Sequence, residues 1–341
     1  MKTAVISLTE SGRLLSRRIA DILPETERWC FARHTDADAK SFTDLAALTA
    51  ELFSRQDALI FVCACGIAVR MTAPHLHSKL TDPAVLVADA EGRFVIPILS
   101  GHIGGANALA VRIAEALGAQ AVLTTATDVG GVFSPDSFAA ANHLHMTDPA
   151  AAKEIACAAL DGEPIGIVTD YPYRNLPREL TADPGTRTGL YIGTDDRRPF
   201  PVTLRLVPQD LVLGIGCKRG TPAETIGQAV LTALEDAGLS MERVSAVATI
   251  DLKAQEPGLV AFCRQHRLPL TAYMAAELME VGGDFTASAF VRQVTGADNV
   301  CERSAVRCSG GTLILHKTAA DGVTCAAAQR DIILDFERSR V

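Results

Sequence analysis

The strongest constraint in this chain is a repeated alternation. Short apolar runs of the kind buried on both faces of a sheet are followed, again and again, by stretches with helical spacing. Residues 3–8 precede a helical pattern over 12–23 that puts Leu15, Ile19 and Ile22 on one face, and a helix over 44–53 leads into the unbroken run 58–63. A helix near 108–117 leads into a strand at 121–125. The order strand 211–215, loop 216–220 and helix 223–237 restarts the pattern. It continues through strand 244–250, helix 257–266, strand 268–271 and helix 275–279, then a helix over 288–295 and strands near 312–316 and 324–327. Such alternation marks an α/β fold with mostly parallel sheets. One pair breaks it: 85–88 and 94–99 flank Glu91-Gly92 and read as a hairpin.

At roughly 150 residues per domain, 341 residues make two or three α/β units. We expect an N-terminal unit over 1–129, a less regular middle region over 130–208 and a C-terminal unit over 209–341, with a cleft between the N- and C-terminal parts. The middle region shows helical patterns at 137–142 and 150–160 around a strand at 164–169. A proline-rich stretch with several Arg and Asp follows at 170–201, read as long surface connections, with the main boundary near Pro208.

A net charge of −8 argues against a general nucleic-acid surface, and one Trp and four Tyr leave little for base stacking. Local basic patches remain free to bind small anions. The nine cysteines contain no C-x-x-C pair, so neither a zinc site nor a disulfide framework is indicated; nearly all are read as small reduced core residues. The N-terminal apolar run is too short for a signal peptide, and no stretch reaches the ~20 residues that span a bilayer, so the expected location is cytoplasmic, without membrane contact.

Polar residues gather where strands end. Ser100-Gly101-His102-Ile103-Gly104-Gly105-Ala106-Asn107 joins a strand to a helix, where glycines and a helix N-terminus favour an anion and His102 supplies an imidazole for acid–base work. Backbone N–H groups of Gly104 and Gly105 are candidate oxyanion donors. Gly214 to Glu224 holds Gly216, Cys217, Lys218, Arg219 and Gly220 before a helix whose start, Thr221-Pro222-Ala223-Glu224, reads as a capping box. It is neither a Walker A loop nor a GxGxxG fingerprint. Arg70 follows the junction at Cys63–Gly66, and Asp251 and Lys253 follow another buried strand. Glu302 stands near a further helix start. A triad of Ser100, His102 and Asp128 lacks its G-x-S-x-G elbow. A solvated loop or an ordinary helix cap is the alternative for each motif taken alone; their clustering favours a large anionic ligand.

Taken in order, CGIAVR at 65–70, SGHIGGAN at 100–107, LGIGCKRGTP at 213–222, ATIDLKAQEPGL at 248–259 and VCERSA at 300–305 resemble the cobalt-precorrin-5A hydrolase family of anaerobic cobalamin (vitamin B12) biosynthesis. The resemblance runs along nearly the whole chain and is least distinct over 130–210. It implies a hydrolase that opens the δ-lactone of a cobalt-containing tetrapyrrole and releases the C20 carbon as acetaldehyde, giving cobalt-precorrin-5B. It implies a small-molecule corrinoid substrate and no resident cofactor or protein metal site, because the cobalt arrives with the substrate. A homo-oligomer, or transient contact with neighbouring pathway enzymes, stays open. Chemistry then casts His102 and Glu302 as acid–base candidates. It casts Arg70, Ser100, Gly101, Gly104, Gly105, Asn107, Gly216, Cys217, Lys218, Arg219, Gly220, Asp251 and Lys253 as substrate contacts, with the macrocycle between the two glycine-rich loops. Two other readings remain: a non-catalytic corrinoid carrier, and an α/β enzyme acting on a sugar phosphate or nucleotide.

Overall fold

A computed structural model describes residues 1–78, 81–102, 104–125 and 130–337, which form three α/β units. Asp128 lies outside the described residues. The N-terminal sheet has seven strands in the order Lys40–Phe42, Thr26–Phe31, Thr3–Ser7, Ala58–Val62, Ala84–Ala88, Phe94–Leu99 and Gln120–Ala121. Its three central strands are buried along their whole length, which is why their sequences are unbroken apolar runs. Helix Glu10–Ile22 starts at Thr9, whose hydroxyl accepts from the Gly12 N–H at 3.1 Å, and it buries Leu15 and Ile19 against the sheet.

The expected hairpin is present, and it decides the edge of the sheet at which the next loop emerges. The Asp89 carboxylate accepts from the N–H groups of Arg93 and Phe94, both at 2.7 Å, and Gly92 supplies the left-handed turn residue at φ +68°. Strand Phe94–Leu99 therefore runs against strand Ala84–Ala88, with Leu99 opposite Val85. The segment after Leu99 emerges at the amino edge of the parallel strands.

The middle unit corrects the reading of 170–201 as surface connection. Thr188–Ile192 is a fully buried central strand, flanked in parallel by Ile165–Thr169 and Val202–Pro208. Gly166 and Gly189 face each other across the ladder and the Phe200 ring covers both; a Cβ on either would lie 2.2–2.3 Å from that ring. Glycines and prolines that suggested loop are here packing devices. The tail also departs from expectation. Leu334–Asp335 pairs in parallel with Tyr173–Arg174, and Phe336 stacks on Phe138 with centroids 4.2 Å apart. Leu334 and Phe336 share a core with Ile155 and Leu190, so the end of the expected 209–341 unit belongs to the middle one.

The C-terminal sheet runs Leu270–Tyr273, Val244–Ile250, Leu211–Cys217, Val323–Gln329 and Thr312–Ala320. The first three strands are parallel; the last two form an antiparallel hairpin turned at Asp321 (φ +50°) and Gly322 (φ +79°). Helix Cys301–Ser309 lies so close to strand Leu211–Cys217 that a Cβ on Gly214 would sit 1.7 Å from the Cys301 carbonyl oxygen. All nine cysteines are free thiols: Cys30, Cys263, Cys301 and Cys325 are buried, Cys63, Cys65, Cys217 and Cys308 pack half-buried against the cores, and Cys157 is exposed, so nearly all belong to cores as composition suggested. Among the described residues, no helix is long and apolar enough to cross a membrane.

Candidate active site

A cavity of about 820 Å³ opens at the carboxyl edge of the C-terminal sheet, where parallel α/β sheets hold their ligands. Strand Leu211–Cys217 delivers Gly216, Cys217, Lys218 and Arg219 to it, and strand Val244–Ile250 delivers Ile250, Leu252 and Lys253. The tip of the antiparallel hairpin closes a third side, because Cys217 pairs with Val323 and the Lys218 N–H donates to the Gly322 carbonyl at 3.0 Å. Four cations therefore line one space: Lys218, Arg219, Lys253 and Lys317. Among the described residues, Lys218, Arg219 and Lys317 make no ion pair, so their charge is available to a ligand.

Glu256 organises the charged side. One carboxylate oxygen accepts from the Gly220 N–H at 2.7 Å and the other from Lys253 Nζ at 2.9 Å. Those two donors, Lys253 first, hold its carboxyl below the ordinary range, so it stays ionised and fixes both loops. Close approach tightens the same corner: a Cβ on Gly258 would lie 1.9 Å from the Thr221 carbonyl oxygen. The expected capping box is absent. Thr221 instead turns its hydroxyl back to the Lys218 carbonyl at 2.8 Å, and the helix starts after Pro222 without a side-chain cap. Burial pushes the Cys217 thiol up, so it stays protonated and serves as wall.

Of the residues singled out in this half of the chain, Gly216, Cys217, Lys218, Arg219 and Lys253 meet in the cavity. Gly220 stands just behind it, held by Glu256. Asp251 is exposed, with its carboxylate accepting from the Leu252 N–H at 2.7 Å, and does not line the cavity. Glu302 is completely buried. Its carboxylate accepts from Thr286 N (2.6 Å), Thr286 Oγ1 (3.1 Å), Asn299 Nδ2 (2.5 Å) and Lys317 N (2.8 Å), with His316 Nδ1 at 3.3 Å. Burial alone would raise its pKa, but the converging donors outweigh it and hold the group ionised. A carboxylate with all its lone pairs engaged and no solvent access ties segments together. That geometry gives Glu302 a structural place in the fold and lends no support to the acid–base role expected of it.

The Ser100–Asn107 loop is built elsewhere. Because its strand is reversed by the hairpin, the loop lies at the amino edge of the N-terminal sheet, with Ser100 Oγ donating to the Asp82 carbonyl at 3.0 Å. Ser100 adopts φ +55°, and Gly104 is required because a Cβ there would meet Ser100 Cβ at 2.4 Å. The Gly105 N–H donates to the His102 carbonyl at 3.0 Å, and those of Ala106 and Asn107 to Ser100 and Gly101. The Gly105 N–H is thus spent on the turn, which removes it as an oxyanion donor. Buried Asn107 reaches Thr125 Oγ1 at 3.1 Å and rests against Gly101. The neighbouring Thr81 lines a different cavity, of about 750 Å³, together with Val244 and Leu268 at the amino edge of the C-terminal sheet. Strand Val244–Ile250, about 20 Å long at ~3.3 Å per residue, separates that edge from the cationic cavity. Among the described residues the cationic cavity takes none from the N-terminal unit, so the two glycine-rich loops do not meet there, against expectation. Arg70 is exposed in the last turn of helix Cys65–Thr72 and also lies outside it.

Sequence reasoning missed Lys317, Phe290 and Val294, which line the cavity. Against known proteins, the family model described as Cobalamin synthesis G C-terminus matches residues 211–328, and Cobalamin synthesis G N-terminal matches residues 47–128. The chain is 35% identical to the cobalt-precorrin-5A hydrolase of Salmonella typhimurium, covering 94% of this chain and 95% of that protein. It is 30% identical to the enzyme of the same name from Priestia megaterium, over 95% and 94% of the two chains. A shorter relative, Protein CobE of a Sinorhizobium species, is 36% identical over 35% of this chain and 79% of its own.

Proposed function

The chain belongs to the cobalt-precorrin-5A hydrolase family, and from that premise we propose that it hydrolyses cobalt-precorrin-5A in the cationic cavity of its C-terminal unit. The observation that carries the binding step is the cavity's composition. Lys218, Arg219, Lys253 and Lys317 surround an apolar wall that includes Ile250, Val300 and Val323. A flat tetrapyrrole edged with acetate and propionate arms is complementary to that arrangement, with the ring on the wall and the carboxylates on the rim. Binding against a chain of net charge −8 then depends on this local positive field.

In the reaction, water adds to the lactone carbonyl and the tetrahedral intermediate collapses, expelling the C20 oxygen as a hydroxyl. Loss of that hydroxyl proton breaks the bond from C20 to the ring. The bonding electrons pass into the macrocycle and the two-carbon fragment leaves as acetaldehyde. Lys253, held in place by Glu256, is the group we assign to the developing lactone oxyanion; a fixed ammonium in a cavity stabilises such charge without reorganising. Glu256 is a positioning residue, since it acts through Lys253 and the Gly220 loop. The cobalt is part of the substrate, and the enzyme in this reading carries no cofactor of its own and works in the cytoplasm. Incubation with cobalt-precorrin-5A and trapping of acetaldehyde tests it: stoichiometric acetaldehyde is expected, and tight corrinoid binding without acetaldehyde would make the protein a carrier.

A further inference from the structure

Helix Ala289–Thr295 buries none of its residues, and Phe290 and Val294 stand 74% and 61% exposed. Leu252, at 63%, faces the same cavity, so three of the most exposed large apolar side chains among the described residues line one space. The mounting of the helix is firm. Ser288 caps it at Val291 N and donates its own N–H to the Asp298 carbonyl at 2.9 Å. Asn299 Nδ2 holds the Thr286 carbonyl at 3.0 Å, and the Arg303 guanidinium pairs with Asp298 at 2.7 Å while lying 4.7 Å over the Phe285 ring. Left-handed Gly296 (φ +83°) ends the helix. A rigidly held helix whose apolar face is uncovered, in a cavity rimmed by cations, is pre-organised for an apolar surface that carries anions at its edge.

We propose that Phe290 is a specificity-determining residue for the reaction, the plate on which the face of the macrocycle lies while Lys218, Arg219 and Lys317 take its carboxylates. The inference rests on the hydrolase reading and adds the geometry of recognition. A planar ring without carboxylates loses the rim, and a flexible polycarboxylate without a ring loses the plate, so the site selects for both at once.

The test uses the full chain in three forms: wild type, Phe290→Ala and Phe290→Trp. With cobalt-precorrin-5A, Phe290→Ala should raise KM about tenfold or more, the scale of a lost aromatic contact, with kcat within about threefold; Phe290→Trp should restore KM. Cobyrinic acid, a stable corrinoid heptacarboxylate, is the binding probe independent of turnover. It should quench the new indole of Phe290→Trp beyond any change at Trp29 in wild type, whereas its heptamethyl ester should not. An unchanged KM in Phe290→Ala, or no added quenching in Phe290→Trp, overturns the plate while leaving the hydrolase reading intact. Quenching in a protein that releases no acetaldehyde removes the reaction and leaves the plate standing.

Discussion

Replacing Glu302 by Gln separates a structural carboxylate from a catalytic one. In the native protein four donors converge on its two oxygens, two on each, in a region closed to water. Glutamine keeps one acceptor oxygen for Thr286 N and Asn299 Nδ2, and its NH₂ then faces Thr286 Oγ1, a hydroxyl that can turn to accept, and the Lys317 N–H, which cannot. One buried donor left unpaired costs about 1–3 kcal/mol, so the loss is about 2 kcal/mol. With a urea m-value of ~2 kcal/mol/M for a unit of this size, the midpoint of the C-terminal unit should fall by about 1 M. The pH dependence follows from the lowered pKa. Folded-state stabilisation is fully present above the unfolded value of about 4.3 and is lost as pH falls through the lower folded value. Below about pH 5 the wild type should therefore lose this contribution progressively, whereas Glu302→Gln has none to lose. Urea melts at pH 4 and pH 7 read both effects, and the folded variant should turn over within about threefold of wild type. Wild-type stability with a hundredfold loss of kcat would refute the reasoning and restore Glu302 as an acid–base group.

Charge removal in Lys218→Ala/Arg219→Ala should weaken cobyrinic acid binding by about 1–3 kcal/mol per engaged contact, read by titration at low and physiological salt, with the difference shrinking as salt rises. Glu256→Gln keeps an acceptor for the Gly220 N–H but loses the charge facing Lys253, so kcat should fall more than KM rises. Gly214→Ala should destabilise the C-terminal unit by about 3 kcal/mol or more, because backbone stands 1.7 Å from the new methyl; an unchanged thermal melt would contradict the packing. His102→Ala should keep kcat within about threefold, since the cationic cavity takes none of the described residues of its loop. A loss of about 10²–10⁴, the range of a positioned acid–base group, would move the chemistry to the Ser100–Gly105 loop.

Much of the fold is legible in local pattern. Strand Val244–Ile250 and helix Ala275–Met279 fall where apolar periodicity puts them. Strand Thr188–Ile192 is hidden because Gly189 makes room for Phe200, an aromatic eleven positions later whose place only the folded sheet defines. The position of His102 is implicit in the hairpin at 85–99, yet reversing one strand changes the edge on which its loop emerges, and local pattern treats every strand end as equivalent. Lys218 and Lys253 are visible because they follow parallel strands directly. Lys317 sits inside an antiparallel strand, and it joins the cavity only through the pairing of that hairpin with Leu211–Cys217. Glu302 looks reactive in sequence because nothing local reveals that residues 286, 299 and 317 converge on it.

The return of Leu334–Phe336 to the middle unit carries a consequence for biogenesis. During synthesis the middle unit emerges before the C-terminal unit, yet it lacks the strand paired with Tyr173–Arg174 and the ring that stacks on Phe138 until residues 334–336 have left the ribosome. The C-terminal unit is a self-contained insertion in a discontinuous domain, free to fold while its host waits. A chain ending near residue 329 and freed from the ribosome should hold a finished cavity beside an unfinished neighbour, and adding the segment that carries Leu334–Phe336 should close the molecule like a clasp.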